Sequence, residues 1–155
     1  MAKRKIVQFG DDILRRTCRP VDKITPATLT LLDDMAETMR AADGCGLAAP
    51  QVGILRRIVV IEVEPGELIE MINPKIIATA GVQEESEGCL SLPGEFGITH
   101  RPMHVTVRAL NRRGETFELS GSGLLARAIC HEVDHLDGKL FIDCVVRMLD
   151  SDAEN

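Results

Sequence analysis

The chain contains no tryptophan or tyrosine and only four phenylalanines among its 155 residues. Its core must therefore be built from aliphatic side chains and methionine, and binding of nucleic-acid bases by aromatic stacking is disfavoured. Basic residues are also in the minority, with 18 lysines and arginines against 24 acidic residues. The formal net charge of −6 gives no sequence-wide positive field, so binding of nucleic acid or anionic lipid is not expected to be the main function, and neither DNA nor a membrane is expected as a partner.

Long apolar runs and targeting signals are missing as well. No stretch approaches the roughly 18–20 apolar residues that a membrane-spanning helix needs. The basic start Met1–Lys5 is followed only by Ile6 and Val7 before Gln8, so a secretory signal peptide is not expected. The five cysteines, at 18, 45, 89, 130 and 144, show no paired spacing. They indicate reduced thiols in a cytosol-like compartment.

The length and the 45% hydrophobic content are sufficient for one well-buried core. We therefore expect a single domain over residues 1–148, followed by a frayed acidic tail over residues 149–155. Hydrophobic spacing and cap residues predict two helices, at 25–42 and 122–136. Strands are predicted at 57–62 and 68–72, the second ended by Asn73-Pro74, with a hairpin over 105–119. This order of elements indicates an α+β fold.

The second predicted helix carries the sequence His131-Glu132-Val133-Asp134-His135. Two histidines four residues apart lie on one face of a helix and can bind the same cation. Glu132 points away enough not to be a ligand, yet near enough to exchange a proton with a water molecule at that cation. The alternative is an exposed helix face on which two histidines happen to align.

A third ligand is needed if such a site is to keep one coordination position open. Zinc peptidases with this pattern usually find theirs downstream, but no histidine follows His135, and Glu154 lies in the predicted tail. Upstream, Glu87-Gly88-Cys89-Leu90-Ser91 places a cysteine on a tight backbone segment, which makes Cys89 the better candidate. A buried structural thiol is the alternative for Cys89, and it is the interpretation adopted for Cys18, Cys130 and Cys144.

A third segment, from Gly44 to Gly53, reads Gly-Cys-Gly-Leu-Ala-Ala-Pro-Gln-Val-Gly. Its small residues permit close approach of backbone or ligand, although a helix end followed by a plain loop explains them equally well. Together, in this order, the three segments resemble the three motifs of the peptide deformylase family. The resemblance covers the whole chain.

The resemblance implies removal of the formyl group from formyl-methionine at the start of newly made polypeptides, which releases formate. It implies mixed or antiparallel strands packed around a central H-E-x-x-H helix. The family's roles, carried onto this sequence, give the following candidates: metal ligands Cys89, His131 and His135, the acid/base Glu132, oxyanion donors on the Gln51 amide and the Leu90 backbone N–H, and a substrate contact at Gly46.

One divalent metal ion per chain is implied. Soft thiolate and imidazole ligands suit iron, zinc, nickel or cobalt, and the resemblance favours Fe²⁺, with Zn²⁺, Ni²⁺ or Co²⁺ as substitutes. The methionine pocket is predicted beside the metal from Leu124, Arg127 and Ala128, although the same apolar stripe could be ordinary core. An extended substrate is predicted to pair along residues 94–98, next to Phe96.

The sequence departs from the family pattern at Cys130, before the first histidine, where many family members carry glutamine. Cys130 lies about 100° from His131 on the helix, so we predict a thiol that lies behind the ligands or is buried, rather than a ligand. Asp134 is predicted to be a structural carboxylate paired with Arg101. The alternatives are a metallopeptidase, disfavoured by its missing ligand, and an inactive binding protein, disfavoured by the presence of Glu132. Formyl-methionyl nascent peptides are the expected partners and the bacterial cytoplasm the expected location; transient ribosome association is left open.

Overall fold

A computed structural model describes residues 2–149 of the chain, so residues 150–155 of the predicted tail lie outside the described residues. The α+β class is confirmed. The helices are α1 (Pro26–Ala41) and α2 (Leu124–Leu136). The strands are β1 (Gly46–Ala48), β2 (Ile58–Ile61), β3 (Ile69–Ala80), β4 (Gln83–Cys89), β5 (Leu92–Arg101), β6 (His104–Leu110), β7 (Thr116–Ser122) and β8 (Val145–Met148).

The strands form two antiparallel sheets. One has five strands in the order β1-β2-β3-β6-β7, and the other has three in the order β4-β5-β8. Helix α2 lies between them, because its apolar residues pack on the larger sheet while its polar residues bond to β4 and β5. Within the described residues, no helix combines the length and apolar character needed to cross a bilayer.

Strand β2 shows how the core is divided. Its four residues are all buried because each face of the strand is covered by a different helix. Val59 and Ile61 belong to the cluster that includes Ile129 and Leu136 of α2. The alternate residues, Ile58 and Val60, pack in the cluster built around Leu32, Met35 and Met39 of α1. The period of two along a strand therefore separates the two halves of the core.

Helix α1 begins and ends close to the predicted positions. The Thr25 hydroxyl accepts the Thr28 N–H in a capping box, and Pro26 occupies the first turn, where its missing N–H costs nothing. At the other end, Asp43 adopts a left-handed backbone with φ of 58°, and the Gly44 N–H donates to the Met39 carbonyl. The chain then turns directly into β1.

The predicted end of a strand at Asn73-Pro74 is wrong, since β3 continues to Ala80. Asn73 adopts a φ of 53°, and the pairing of β3 with β6 shifts register between Ile72 and Lys75. A bulge of this kind tolerates a proline because the ladder is already interrupted there. The Asn73 side chain fixes the distortion through hydrogen bonds to both backbone groups of Val21.

Two other boundaries differ from prediction. Ser122 is the last residue of β7 rather than the first of the helix, and Gly123, with a φ of 60°, turns the chain into α2. Beyond α2, the sequence pattern did not predict β8, which pairs with Gly97 to Thr99 of β5. Leu149, assigned to the tail, extends this contact by donating its N–H to the Phe96 carbonyl.

Candidate metal centre and active site

Two histidines and one cysteine from separate elements meet at one point. His131 and His135 lie one turn apart on α2, and Cys89 ends β4. One donor atom from each lies within 4.8 Å of the others, and Cys89 Sγ is 3.5 Å from His135 Nε2. A tetrahedral cation with bonds of about 2.3 Å to sulfur and about 2.0–2.1 Å to nitrogen separates such atoms by about 3.5 Å. The donor set therefore fits one transition-metal ion.

The charges around these donors also suit a cation. Burial holds the pKa of His135 well below its ordinary value, which keeps the imidazole in the neutral form that a metal requires. Burial acts in the same direction on His131, but Glu132, Cys89 and Glu87 outweigh it and leave the pKa of His131 well above its ordinary value. The negative groups that favour a proton on this ring would equally stabilise a metal ion.

Glu132 is directed into the same space. Its side chain is buried, its Oε1 has no hydrogen-bond partner within residues 2–149, and its Oε2 lies 4.0 Å from His131 Nε2. Burial raises the pKa of Glu132 to about 7. A carboxyl group with that pKa can both accept and release a proton near neutral pH, which is what an acid/base group needs.

Strand β1 brings Gly46 against this carboxyl group. A Cβ atom at position 46 would lie 2.5 Å from Glu132 Oε2 and 3.0 Å from its Cδ. Glu132 is itself buried, so it has little room to move aside. The contact that requires glycine here is therefore with Glu132, in addition to any contact with substrate.

A carboxylate to which the sequence analysis gave no role supports the first histidine. Glu87 Oε1 accepts a hydrogen bond from His131 Nδ1 at 2.8 Å, which directs Nε2 towards Cys89. Arg101 donates to both oxygens of Glu87 at 3.0 Å and to Asp134 at 2.7 Å, which confirms the predicted pairing of Arg101 with Asp134. Burial would raise the pKa of Glu87, but the bonds from His131 and Arg101 lower it to about 2.

The position of Glu87 gives it a role that sequence reasoning missed. A carboxylate behind a metal-binding histidine fixes the ring's tautomer and makes it a better ligand. The available signal was the motif itself, since Glu87 lies two residues before Cys89. Both side chains meet α2, where Glu87 contacts His131 and Cys89 contacts His135.

Replacing Glu87 with Gln is expected to weaken metal binding by about 10- to 100-fold, because the amide cannot stabilise the ligating ring as a carboxylate does. The measurement is a Co²⁺ titration followed by visible absorbance. Glu85→Gln is the matched control, since Glu85 is an exposed residue of the same strand. Equal Co²⁺ affinities for wild type and Glu87→Gln would contradict the role given to Glu87.

Gln51 approaches the cluster from the short 3-10 helix Ala49–Val52. Its Oε1 accepts the Ala48 N–H at 3.0 Å, which fixes the orientation of the amide. Its Nε2 therefore faces the centre, 3.1 Å from Ser91 Oγ and 3.5 Å from Cys89 Sγ. A fully buried amide held in this way is a preorganised hydrogen-bond donor.

A cavity of about 400 Å³ opens beside the donor atoms. It is lined by all of the predicted substrate and oxyanion residues, namely Gly46, Gln51, Leu90, Phe96, Leu124, Arg127 and Ala128. Leu124 is 46% exposed and so belongs to the cavity wall, whereas Ala128 is also part of the core. Arg127 is oriented by a hydrogen bond to the Ser86 carbonyl at 2.9 Å.

The prediction that a substrate strand pairs along residues 94–98 is wrong at residues 96–98. Gly97 and Ile98 pair with β4 on one side and β8 on the other, and the Phe96 carbonyl already accepts the Leu149 N–H. A strand with neighbours on both sides has no free backbone groups for a third. Strand β4 forms the outer edge of this sheet and lies beside the cavity, while Phe96 contributes only its side chain.

The remaining cysteines separate into buried and accessible thiols. Cys18 and Cys130 are buried in the core, and burial raises the pKa of each to about 11. Cys144 is half-buried and donates to the Phe141 carbonyl. Cys45 is exposed and lines the cavity, which no sequence pattern indicated. Cys130 is absent from the ligand cluster, as predicted.

Three comparisons place these features among known proteins. Residues 3–150 match the family model described as polypeptide deformylase. A peptide deformylase of Acetivibrio thermocellus is 57% identical over 152 residues, which span 98% of this chain and 89% of that protein. The crystal structure of a peptide deformylase from Legionella pneumophila superimposes with a TM-score of 0.90 at 44% identity, covering 93% of this chain and 86% of that one. The peptide deformylase structure from Thermotoga maritima gives a TM-score of 0.90 at 39% identity. The match covers 94% of this chain and 99% of that one.

Proposed function

This chain belongs to the peptide deformylase family, and we propose that it hydrolyses the formamide bond of N-formyl-methionyl nascent peptides to give formate and a free amino terminus. One observation carries the proposal. Three metal-ligating atoms lie within 4.8 Å of one another beside the buried carboxyl group of Glu132, whose Oε1 has no hydrogen-bond partner within residues 2–149. This is the equipment that a metal-assisted hydrolysis requires.

Cys89, His131 and His135 would hold one divalent ion, which on the family resemblance is Fe²⁺, with Zn²⁺, Ni²⁺ or Co²⁺ able to substitute. When bound, such an ion supplies Lewis-acid activation of water and of the formyl oxygen. Two neutral imidazoles and one thiolate leave the site with a net positive charge. Glu87 and Arg101 keep His131 oriented for this role.

Glu132 is the group that moves the proton. Its carboxylate accepts a proton from the attacking water as the water oxygen bonds to the formyl carbon. The same carboxyl group then returns the proton to the amine nitrogen as the carbon–nitrogen bond breaks. A pKa of about 7 allows both transfers at neutral pH.

Gln51 and the backbone N–H of Leu90 are the proposed donors to the negative charge that develops on the formyl oxygen. The support for Gln51 is its fixed amide nitrogen, 3.5 Å from Cys89 Sγ. Leu90 follows Cys89 directly in the chain and lines the same cavity. Each donor of this kind typically contributes about 2.7–4 kcal/mol to stabilisation of the transition state.

The cavity beside the donors would bind the methionine side chain and the residues after it. Leu124, Ala128 and the aliphatic part of Arg127 would provide the apolar surface for that side chain. Phe96 covers Gly88 and extends this wall, since a Cβ at position 88 would lie 2.7 Å from the Phe96 ring. The peptide backbone would then lie along the outer edge of β4, close to Gly46.

Gly46→Ala is expected to reduce formate release by about 100-fold, because the added methyl group must displace Glu132 and small displacements of reacting groups have effects of that order. The measurement is kcat/KM for formyl-Met-Ala-Ser, with bound metal quantified in the same sample. Gly121→Ala is the control, since its Cβ would make a similarly close contact, 2.7 Å from the Leu125 side chain, away from the cavity. Equal activities of Gly46→Ala and wild type would contradict the assignment of Glu132.

We place this activity in the bacterial cytoplasm, where formyl-methionyl chains are made, with transient association with the ribosome. The direct test uses protein prepared anaerobically with Fe²⁺ and measures formate released from formyl-Met-Ala-Ser. The controls are an unformylated peptide of the same sequence and a second peptide, the internal peptide, which has no formyl group and reports cleavage of an internal peptide bond. Cleavage of the internal peptide would indicate a metallopeptidase, and a folded, metal-loaded protein that releases no formate would indicate an inactive binding protein.

A further inference from the structure

A second concavity, of about 610 Å³, lies between residues 19–25, the first turns of α1 and the segment leading into β2. It shares no lining residue with the cavity at the metal centre. We call it the basic groove, because Arg19, Lys23 and Arg56 line it together with Arg4, against a single acidic residue, Asp22.

The backbone holds two arginines of this groove next to each other. Arg19 and Arg56 form a parallel β-bridge. The Arg19 N–H donates to the Leu55 carbonyl at 3.3 Å, and the Arg57 N–H donates to the Arg19 carbonyl at 3.1 Å. Asn73 fixes the backbone two residues after Arg19 through its two hydrogen bonds to Val21. Like charges placed side by side in this way repel each other unless an anion lies between them.

No carboxylate of the described residues fills that role. Eight arginines between residues 2 and 149 form ion pairs with carboxylates, including Arg4 with Asp34 at 2.9 Å. Arg19, Arg56 and Lys23 are not among the paired residues, and all three are exposed. Among residues 2–149, these three cations therefore have no ion-pair partner, while most other arginines do.

The N-terminal part of the sequence is basic, and three of its cations, Arg4, Arg19 and Lys23, line the groove. Residues 1–23 contain seven basic and three acidic residues, although the whole chain has a net charge of −6. The N-terminal turn of α1 also lines the groove, and the positive end of the helix dipole adds to the charge there. The global charge thus conceals a local positive surface, which is the feature that attracts a polyanion.

We propose that the basic groove binds the phosphodiester backbone of RNA. The groove is open and Arg19, Lys23 and Arg56 are exposed, which suits a chain of phosphates rather than one enclosed phosphate ion. None of the four phenylalanines lines it, so contacts to bases by stacking are not available. The choice of RNA rests on the proposed function, because nascent peptides emerge from a particle rich in RNA. The separate location leaves the metal centre free to act while RNA is bound.

The test measures binding of the metal-loaded, full-length protein to a fluorescently labelled, single-stranded RNA of 20 nucleotides at several salt concentrations. Arg19→Gln/Arg56→Gln is expected to raise the Kd at least tenfold in 50 mM salt. It should also reduce the slope of log K against log salt by about 1.4, at about 0.7 for each lost contact. Arg108→Gln/Arg113→Gln is the control, since it makes the same change in net charge at exposed arginines elsewhere.

Both double variants should release formate from formyl-Met-Ala-Ser at the wild-type rate, so this test is independent of the proposed activity. If the two double variants weaken RNA binding equally, the basic groove is not the RNA site. Absence of RNA binding by wild type in 50 mM salt would also overturn the proposal. Displacement of the RNA by 5 mM inorganic phosphate at constant ionic strength would indicate a site for single phosphate ions and overturn the proposal. Tighter binding to phosphatidylglycerol vesicles than to RNA would overturn it in favour of a membrane.

Discussion

Glu132→Gln is expected to reduce kcat/KM for formyl-Met-Ala-Ser by about 10²- to 10⁴-fold, the usual contribution of a positioned acid/base group. The amide is nearly the same size as the carboxyl group, so the packing against Gly46 is retained. It cannot, however, take a proton from water or return one to the departing amine. The measurement is the rate of formate release by metal-loaded protein, at saturating substrate concentration for kcat and at limiting substrate concentration for kcat/KM.

The metal content of the Glu132→Gln protein separates chemistry from binding. Because the proposed ligands are Cys89, His131 and His135, we expect the variant to bind Co²⁺ with an affinity close to that of wild type. Glu118→Gln is the control, since Glu118 is exposed on β7, and it should leave both formate release and metal binding unchanged. Loss of metal together with activity would instead make Glu132 part of the metal site, contrary to its assigned role.

Arg101→Met is expected to lower the free energy of unfolding by about 3–5 kcal/mol, the cost typical of leaving one partner of a buried ion pair uncompensated. Arg101 is 5% exposed and contacts both Glu87 and Asp134. Methionine has a similar length but provides neither the charge nor the hydrogen bonds. The measurement is chemical denaturation at pH 7 of metal-loaded protein.

Arg108→Met provides the matched control, because Arg108 and Glu118 are both about half exposed and such pairs contribute less than about 1 kcal/mol. The pH dependence gives a second readout. Since the pKa of Glu87 is lowered from 4.5 to about 2, its ion pair stabilises the fold fully above pH 4.5 and is lost as pH falls towards 2. The difference in the free energy of unfolding between wild type and Arg101→Met should therefore narrow as pH falls from 4.5 towards 2. A difference that stays constant down to pH 2 would contradict the pairing.

The sequence by itself determined the features that depend on local spacing. The capped start of α1 at Thr25-Pro26 and the hairpin of β6 and β7 follow from neighbouring residues. The His131 and His135 pair follows from the helical repeat, because residues four apart meet on one face. The family could be recognised because three short motifs occur in one order. These features need no knowledge of what packs against them.

Tertiary structure decided the features that depend on contacts between distant segments. Asn73-Pro74 looks like a boundary, yet β3 passes through it because Asn73 is bonded to Val21, 52 residues away. Strand β8 pairs with the edge that β5 offers, and this pairing, with the bond from Leu149 to Phe96, prevents substrate from adding along residues 96–98.

The same distinction applies to the candidate site and to the basic groove. Sequence spacing brought His131 and His135 together, but only the packing of α2 against β4 and β5 placed Glu87 and Arg101 behind the ligating ring. Nor could spacing show that Arg19 and Arg56 lie side by side. Repeats along a helix or strand fix which face a residue occupies, whereas the residue it meets across space is fixed by packing of the whole fold.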